Sequence, residues 1–338
     1  MPRSSSSRSG NGRNGRNGHD SLTAVILVGG FGTRLRPLTN QTPKPMLPLL
    51  GRPLLSYTFD HLRAAGVGRA VLACGYIPDA IEAHFGFDAD GLALEYCVEP
   101  EPLGTGGAIR FAAEGRDRTF LALNGDSLRE VDVRRLIAFH RERGAKATIL
   151  LTRVSDPTRY GLVRVDRDGR VCGFLEKPSP EEIDTDLINA GLYVLEPEVL
   201  ELMPAGKALS IERDVFPRLA EEGSLFALDL PGYWLDVGTC ASYLQAHIDL
   251  LSRSDEVVIH PGAEVQATAE LHPPVRIEHG AFIGADARVG PCVHVGSGAS
   301  VAEGAQVANA AVLPRAVVDS GVRLVNAIVA PEIGALLA

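Results

Sequence analysis

The sequence predicts an α/β protein in two parts: a doubly wound, mixed sheet, followed by a left-handed parallel β-helix built from hexapeptide repeats. Three observations carry this prediction. Strand-length apolar runs alternate with segments of helical spacing from Leu22 to about residue 251. Leu162–Val165 and Val171–Phe174 flank a turn at Asp168-Gly169 and read as a hairpin, so the sheet is not wholly parallel. Beyond residue 256, aliphatic residues recur at every sixth position.

Residues 1–20 are Ser, Gly, Asn and Arg with almost nothing apolar. Such a segment cannot offset its ordering entropy by burial and reads as a disordered tail; it also lacks the apolar stretch of a secretory signal. Thr23–Val28 is continuously apolar and ends at Gly29-Gly30, as a strand covered on both faces does. Leu55, Phe59 and Leu62 recur at helical spacing before the strand Ala70–Cys74. Ile77, Ile81 and Phe85 give a further short helical face, and Leu92–Val98 a further strand. Phe120–Leu123 is a third buried-type strand, halted by Asn124-Gly125-Asp126. A helix near 239–251 closes this part. A chain of 338 residues exceeds what one core usually organises. The expected division is a tail over 1–20, a catalytic domain over 21–252 and the repeat domain over 257–335.

In the repeat, Ile259, Val265, Leu271, Ile277, Ile283, Val289, Val295, Val301, Val307 and Leu313 keep an unbroken spacing of six. Ala or Val stands two residues before each of the last nine, from Ala263 to Ala311. At about one aliphatic residue in four, such a run would arise by chance about once in a million. Each hexapeptide is one flat side of a triangular coil, with the aliphatic residue inside and the small residue at the crowded corner. Three such sides make a turn, so Ile259–Val318 supplies a little over three turns. His260, His272, His279 and His294 read as surface residues of this coil.

Composition narrows the function. Charged residues at 22% and a net charge of −9 describe a globular protein without broad nucleic-acid affinity. No apolar run is long enough to span a membrane as a helix. Cys74, Cys97, Cys172, Cys240 and Cys292 are scattered, with no C-x-x-C pair, which fits a reducing cytoplasm rather than a disulfide framework or a structural zinc site. Trp234, the only tryptophan, reads as a core residue.

The chemistry-bearing text begins at Gly29-Gly30-Phe31-Gly32-Thr33-Arg34, followed by Pro43-Lys44-Pro45. Glycines at the carboxyl end of a parallel strand let backbone N–H groups approach a phosphate, and Arg34 and Lys44 add charge. The run matches neither the phosphate loop G-x-x-x-x-G-K-[ST] nor the dinucleotide fingerprint. A plain glycine turn therefore stays open on these residues alone.

The run GGFGTRLRPLT…PKP resembles the signature of the sugar-1-phosphate nucleotidyltransferases, whose catalytic domain is Rossmann-like and related to the GT-A fold. The loop Leu103-Gly104-Thr105-Gly106-Gly107, Asn124-Gly125-Asp126, Tyr160-Gly161, Glu176-Lys177-Pro178, Asn189-Ala190-Gly191 and Trp234-Leu235-Asp236-Val237-Gly238 follow in that family's order. The resemblance covers residues 22–251, and the hexapeptide tail is also common in the family. It implies attack of a sugar 1-phosphate on a nucleoside triphosphate, giving a nucleotide-sugar and pyrophosphate. The attacking group is already anionic, so positioning and cationic stabilisation suffice and no general base is needed.

By resemblance, Gly29, Gly30, Gly32, Thr33, Gly104 and Gly107 bind the nucleotide and Arg34 faces the triphosphate. Lys44 stands near the α-phosphate, Asp126 and Asp236 share Mg²⁺, and Gly161, Glu176, Lys177 and Asn189 hold the sugar phosphate. Pro43-Lys44-Pro45, the coil and Ser210–Pro217 look most like mannose-1-phosphate guanylyltransferases. Leu103–Ile109 and Asn124–Ser127 look more like the D-glycero-manno-heptose-1-phosphate enzymes. GTP is the favoured nucleotide, with mannose 1-phosphate or a heptose or cyclitol phosphate as acceptor. Thymidylyl or uridylyl transfer to glucose 1-phosphate is the alternative. A catalytically silent regulatory or assembly subunit is the alternative of another class. The flat apolar sides and open end of the coil lead to an expected homo-oligomer. Only four of the 33 basic residues are lysines, and Lys44 and Lys177 fall at the family's two phosphate-binding ammonium positions.

Overall fold

The structure, a computed structural model, describes residues 22–30, 32–75, 78–331 and 333–337. The expected tail, Phe31 of the glycine run and Ile77 of the short helical face lie outside the described residues. In chain order the α/β part comprises β1 (Leu22–Leu27), α1 (Leu54–Ala64), β2 (Val67–Cys74), α2 (Asp79–Phe85), β3 (Leu92–Val98) and α3 (Gly104–Ala112). It continues with β4 (Phe120–Asn124), β5 (Ser127–Glu130), α4 (Val133–Arg143), β6 (Ala147–Arg153), β7 (Gly161–Val165), β8 (Val171–Glu176) and β9 (Leu187–Leu195). It ends with α5 (Phe216–Glu221), β10 (Leu225–Asp229), β11 (Tyr233–Asp236) and α6 (Cys240–Leu251).

The central strand β1 is apolar from Ala24 to Leu27 because both its faces are covered. Ala24 and Ile26 join Leu55, Phe59 and Leu62 of α1 in one core, while Val25 joins Ala108, Ile109 and Ala112 of α3 in the other. On one side β1 pairs in parallel with β2, and β2 with β3; on the other it pairs in parallel with β4. The strand order therefore reverses at β1, and ligands of such sheets bind beyond the carboxyl ends at that point. β9 runs antiparallel to both β4 and β6, and β7 and β8 form the expected hairpin, so the sheet is mixed. β5 and β11 form a separate two-stranded ribbon.

The C-terminal strands stack in parallel as three flat sides. Ile277, Ile283, Val289, Val295, Val301 and Val307 point inward and are fully buried, as the period of six requires. The period then slips. Rungs stack at intervals of 18 residues up to Val293 and of 17 from there, through Ala310 and Ala327. Asn309, with φ +47°, forms the shortened corner. Strand side chains alternate, so a one-residue shift exchanges inside for outside. Leu313 and Ala311, expected in the interior and at a corner, are corrected to the outer face, and Ala310 and Val312 fill the interior. The repeat also runs past Val318, to a last parallel rung at Arg323–Ala330 with Gly334–Leu337 antiparallel to it.

The slip gives the coil an apolar outer face. Ala311, Leu313, Ile328 and Ala330 pack with Tyr243, Leu244 and Ala246 of α6 and with Leu35, Leu38, Leu47 and Leu49 as one core. His294 is fully buried there, contrary to the surface expectation, with its ring stacked on His247 of α6 at 5.2 Å; His260, His272 and His279 are exposed as expected. His294 Nε2 lies 3.5 Å from Glu278, whose carboxyl is pulled down to about 2 by His294 and Arg276 against the effect of burial.

Replacing Leu313 with Ala should lower unfolding stability by about 2–3 kcal/mol, whereas the same change at exposed Val317 should cost no more than about 0.5 kcal/mol. Denaturant titration of the two variants checks the slip, because equal effects would place both side chains alike. A second outcome concerns pH. Burial lowers the pKa of His247, with His294 adding to the effect, and burial also lowers that of His294 despite the opposing pull of Glu278. The unfolded chain binds these protons near pH 6.5, and the folded chain only at lower pH. The stabilisation is therefore complete above about pH 6.5 and is lost as pH falls from there toward the folded values. Denaturation midpoints measured between about pH 8 and pH 5.5 should fall, and fall less in His247→Phe.

Candidate active site

At the end of β1 the backbone passes close to the end of β2. A Cβ on Gly29 would stand 2.8 Å from the Gly75 nitrogen, so neither residue tolerates a side chain without movement. Gly32, at φ +59°, precedes the turn Thr33–Leu35, and the Thr39 hydroxyl donates to its carbonyl at 2.8 Å. Gly29, Gly30 and Gly75 line a cavity of about 310 Å³ together with Glu99, Gly104 and Thr105. Leu103–Gly107, expected as a loop, includes the first turn of α3, which starts at Gly104. Gly107 lies outside this cavity's lining among the described residues; a Cβ on it would meet the Lys207 carbonyl at 2.6 Å. Glu99 was not anticipated. It is buried, and its Oε2 accepts the Leu103 N–H at 3.0 Å.

Lys44, Asp126, Asp236 and Arg34 converge beyond the switch point. Pro43 and Pro45 fix the backbone around Lys44, which opens a short turn and is 7% exposed. Its Nζ lies 2.6 Å from Asp126 Oδ2. Asp126 follows β4, and its carbonyl accepts the Val237 N–H at 3.1 Å, which ties it to the end of β11, where Asp236 pairs with Ser127. Arg34 is exposed; a Cβ on Gly238 would lie 2.9 Å from Asp236 Oδ2 and 3.0 Å from Arg34 Nη2, so the two groups flank the same glycine.

The two carboxylates are electrostatically divided. Burial pushes the Asp126 pKa up, but the charge and hydrogen bond of Lys44, with Arg129 behind, bring it below the ordinary value. Burial and the charge of Asp126 raise that of Asp236, with Lys44 and Arg34 opposing. Arg129 is a second residue that sequence reading missed. It is buried under the ribbon and donates to the carbonyls of Asn124 at 2.9 Å, Gly191 at 3.1 Å and Ala190 at 3.3 Å. It thereby ties the end of β4, which Asp126 follows, to the middle of β9 next to Asn189. Burial lowers its pKa to about 10, so it stays charged at neutral pH.

Gly161 and Glu176 face each other across the β7–β8 hairpin, and a Cβ on Gly161 would stand 2.8 Å from Glu176 Oε2. Burial and the neighbouring Glu212 raise the Glu176 pKa. Asn189 donates to the Tyr193 hydroxyl at 2.9 Å, which donates to Glu212 at 3.2 Å, and Glu212 accepts from Thr105 at 2.6 Å. This relay joins Asn189 to the nucleotide-side helix α3. Lys177 is exposed at φ +52°, with its N–H bonded to the Tyr160 carbonyl at 3.0 Å. Trp234 packs partly buried against the core, donates to the Ala190 carbonyl at 3.0 Å and meets Tyr160 edge to face.

A glycine-lined cavity opening beside two cations and two carboxylates is equipment for transfer between phosphates. The chain belongs to the nucleotidyl transferase family, whose model matches residues 23–253. It is 41% identical over 280 residues to a mannose-1-phosphate guanylyltransferase of Mycobacterium tuberculosis, covering 79% of this chain and 77% of the relative. It is 37% identical to a mannose-1-phosphate guanylyltransferase catalytic subunit beta of Drosophila pseudoobscura, covering 77% of this chain and 71% of the relative. Among solved structures, HddC from Yersinia pseudotuberculosis superposes with a TM-score of 0.58 at 32% identity, covering 67% of this chain and 97% of that one. The fold is that of the sugar-phosphate nucleotidyltransferases, and the protein is an enzyme of this class.

The structure separates the two lysines. Lys44 is enclosed, its Cβ 3.2 Å from where a Gly32 Cβ would be, whereas the side chain of Lys177 is exposed. Lys44→Arg should lower kcat by about 10²–10³, because a planar guanidinium cannot keep the point-charge contact. Lys177→Arg should lose markedly less. Steady-state kinetics of both variants check this ordering.

Proposed function

We propose that the protein transfers GMP from GTP to mannose 1-phosphate or a closely related sugar phosphate, releasing pyrophosphate and a GDP-sugar. The observation that carries this reading is the convergence of Lys44, Arg34, Asp126 and Asp236 beside the glycine-lined cavity. The similarity to relatives named mannose-1-phosphate guanylyltransferase supports the choice of nucleotide and acceptor. Glu99 supports it chemically. Guanine offers two adjacent donors, N1–H and the 2-amino group, that a carboxylate can accept together; thymine and uracil offer one donor between two carbonyls.

In the reaction Lys44 holds the α-phosphate and spreads the charge of the crowded phosphorus, while Arg34 screens the departing pyrophosphate. Gly29, Gly30 and Gly32 leave room for backbone N–H groups to meet the triphosphate. Gly161, Glu176 and Asn189 orient the sugar, with Lys177 on its phosphate, so that a phosphate oxygen attacks the α-phosphorus opposite the pyrophosphate. The new P–O bond forms as the bond to pyrophosphate breaks, and no proton need move.

Asp126 and Asp236, where the charge of Asp126 raises the pKa of Asp236, suit Mg²⁺, which takes one or two carboxylates together with phosphate oxygens and water. Held by Asp126 and Asp236, Mg²⁺ would supply the charge that lets the polyanions approach. The five cysteines are all unpaired, which supports a reducing cytoplasm as the setting.

Pyrophosphate release measured with GTP, dTTP, UTP, CTP and ATP against several sugar 1-phosphates tests this reading. Turnover should require Mg²⁺ and be greatest with GTP and mannose 1-phosphate. Silence across the panel would overturn it. Glu99→Gln should reduce the preference for GTP over UTP by about tenfold or more, because one guanine donor then meets an amide rather than an acceptor.

A further inference from the structure

We infer that Tyr243 of α6, backed by the repeat coil, is a positioning residue for Lys44, acting through the strap of chain that follows it. This rests on the reading of Lys44 as the α-phosphate ligand. The strap begins at the Lys44–Met46 turn, where Leu47 N–H closes on the Lys44 carbonyl at 3.1 Å. It continues as Pro48-Leu49, reverses at Leu50-Gly51 and returns as Arg52-Pro53 in a two-stranded ribbon. The next helix, α1, starts with Leu54 N–H bonded to the Leu47 carbonyl at 3.0 Å.

Two hydroxyls, one on the buried Tyr243 ring and one on the partly buried Tyr57 ring, grip consecutive carbonyls of this strap. Tyr243 donates to Pro48, and Tyr57 of α1 donates to Leu49 at 3.0 Å. Tyr243 is fully buried, and burial raises its phenol pKa so that it remains a donor. Behind its ring stands His247, edge to face at 4.9 Å, and behind His247 lies His294 of the coil. At the reversal, a Cβ on Gly51 would fall 2.6 Å from Glu278 of the coil, so the coil also abuts the tip of the strap. Leu47 and Leu49 are buried in the same core as the coil's Ala311, Leu313, Ile328 and Ala330. The strap is thus held from α1, α6 and the coil, and Lys44 is its first residue. A shift of the Pro48 carbonyl has one short covalent path to the ammonium.

The test is Tyr243→Phe, which removes the hydroxyl and keeps the ring. Kinetics are read with GTP and mannose 1-phosphate in the wild-type, Tyr243→Phe, Lys44→Ala and double-variant backgrounds, using radiolabelled GTP for the slow variants. We expect kcat to fall at least fivefold in Tyr243→Phe with both KM values within about twofold, and no further fall when the change is added to Lys44→Ala. A structural role alone would multiply the losses, since damage that does not pass through Lys44 persists without it. Undiminished kcat in Tyr243→Phe, or multiplicative losses in the double variant, would overturn the inference. Wild-type silence would instead refute the reading on which it rests. Should Tyr243→Phe not fold by circular dichroism, Tyr57→Phe, which frees the adjacent Leu49 carbonyl, carries the same expected and overturning outcomes.

Discussion

The contact on which the site depends is the ion pair between Lys44 and Asp126, 2.6 Å apart, with the lysine almost wholly enclosed. An ammonium removed from water is costly unless a counter-charge compensates it, and Asp126 provides that charge. The pairing also brings the strap after the glycine loop to the end of β4, two segments 82 residues apart in sequence. Around this contact the remaining charges are arranged in opposition. Arg129 supports the charge on Asp126, and the charge of Asp126 in turn presses on Asp236, with Lys44 and Arg34 opposing.

Much of the architecture was legible because burial leaves a strong imprint on strands and coils. β1 is apolar from Ala24 to Leu27 because both faces are covered, and its end is marked by glycines because β2 comes close there. The hexapeptide period was legible for the same reason: each rung must place an aliphatic residue inside. Arg34, Lys44, Asp126 and Asp236 could be named from their motifs, but their convergence depends on the strand order, which no local pattern records.

What escaped was of two kinds. Glu99 owes its role to a cavity it shares with the distant Gly29 and Gly30, and Arg129 and Tyr243 owe theirs to partners far off in sequence; nothing local distinguishes a buried arginine that holds three carbonyls from a solvated one. The slip in the coil escaped for a different reason. Ala310-Ala311-Val312-Leu313 is apolar in both registers, so the alternation that would betray a one-residue shift is absent. His294 was read as exposed on the same ground, because the outer side of an isolated coil faces water and the docking of α6 is a property of the whole chain.

That ambiguity has a physical use. A coil whose outer sides are polar is complete in itself and has no reason to adhere to a neighbouring sheet. By shortening the corner at Asn309, the chain turns a row of core-type residues outward on two successive rungs while leaving the interior filled by Ala310, Val312, Ala327 and Val329. The exposed row then has to be covered, and α6 covers it together with Leu35, Leu38, Leu47 and Leu49, residues on either side of Lys44 in sequence. The loops that carry Arg34 and Lys44 are short and irregular, and irregular segments have few backbone contacts of their own to hold them. Here their apolar side chains share a core with a stack of parallel strands, one of the stiffer structures a chain can build. The repeat coil is thus a second wall of the active-site scaffold as well as an appendage to it.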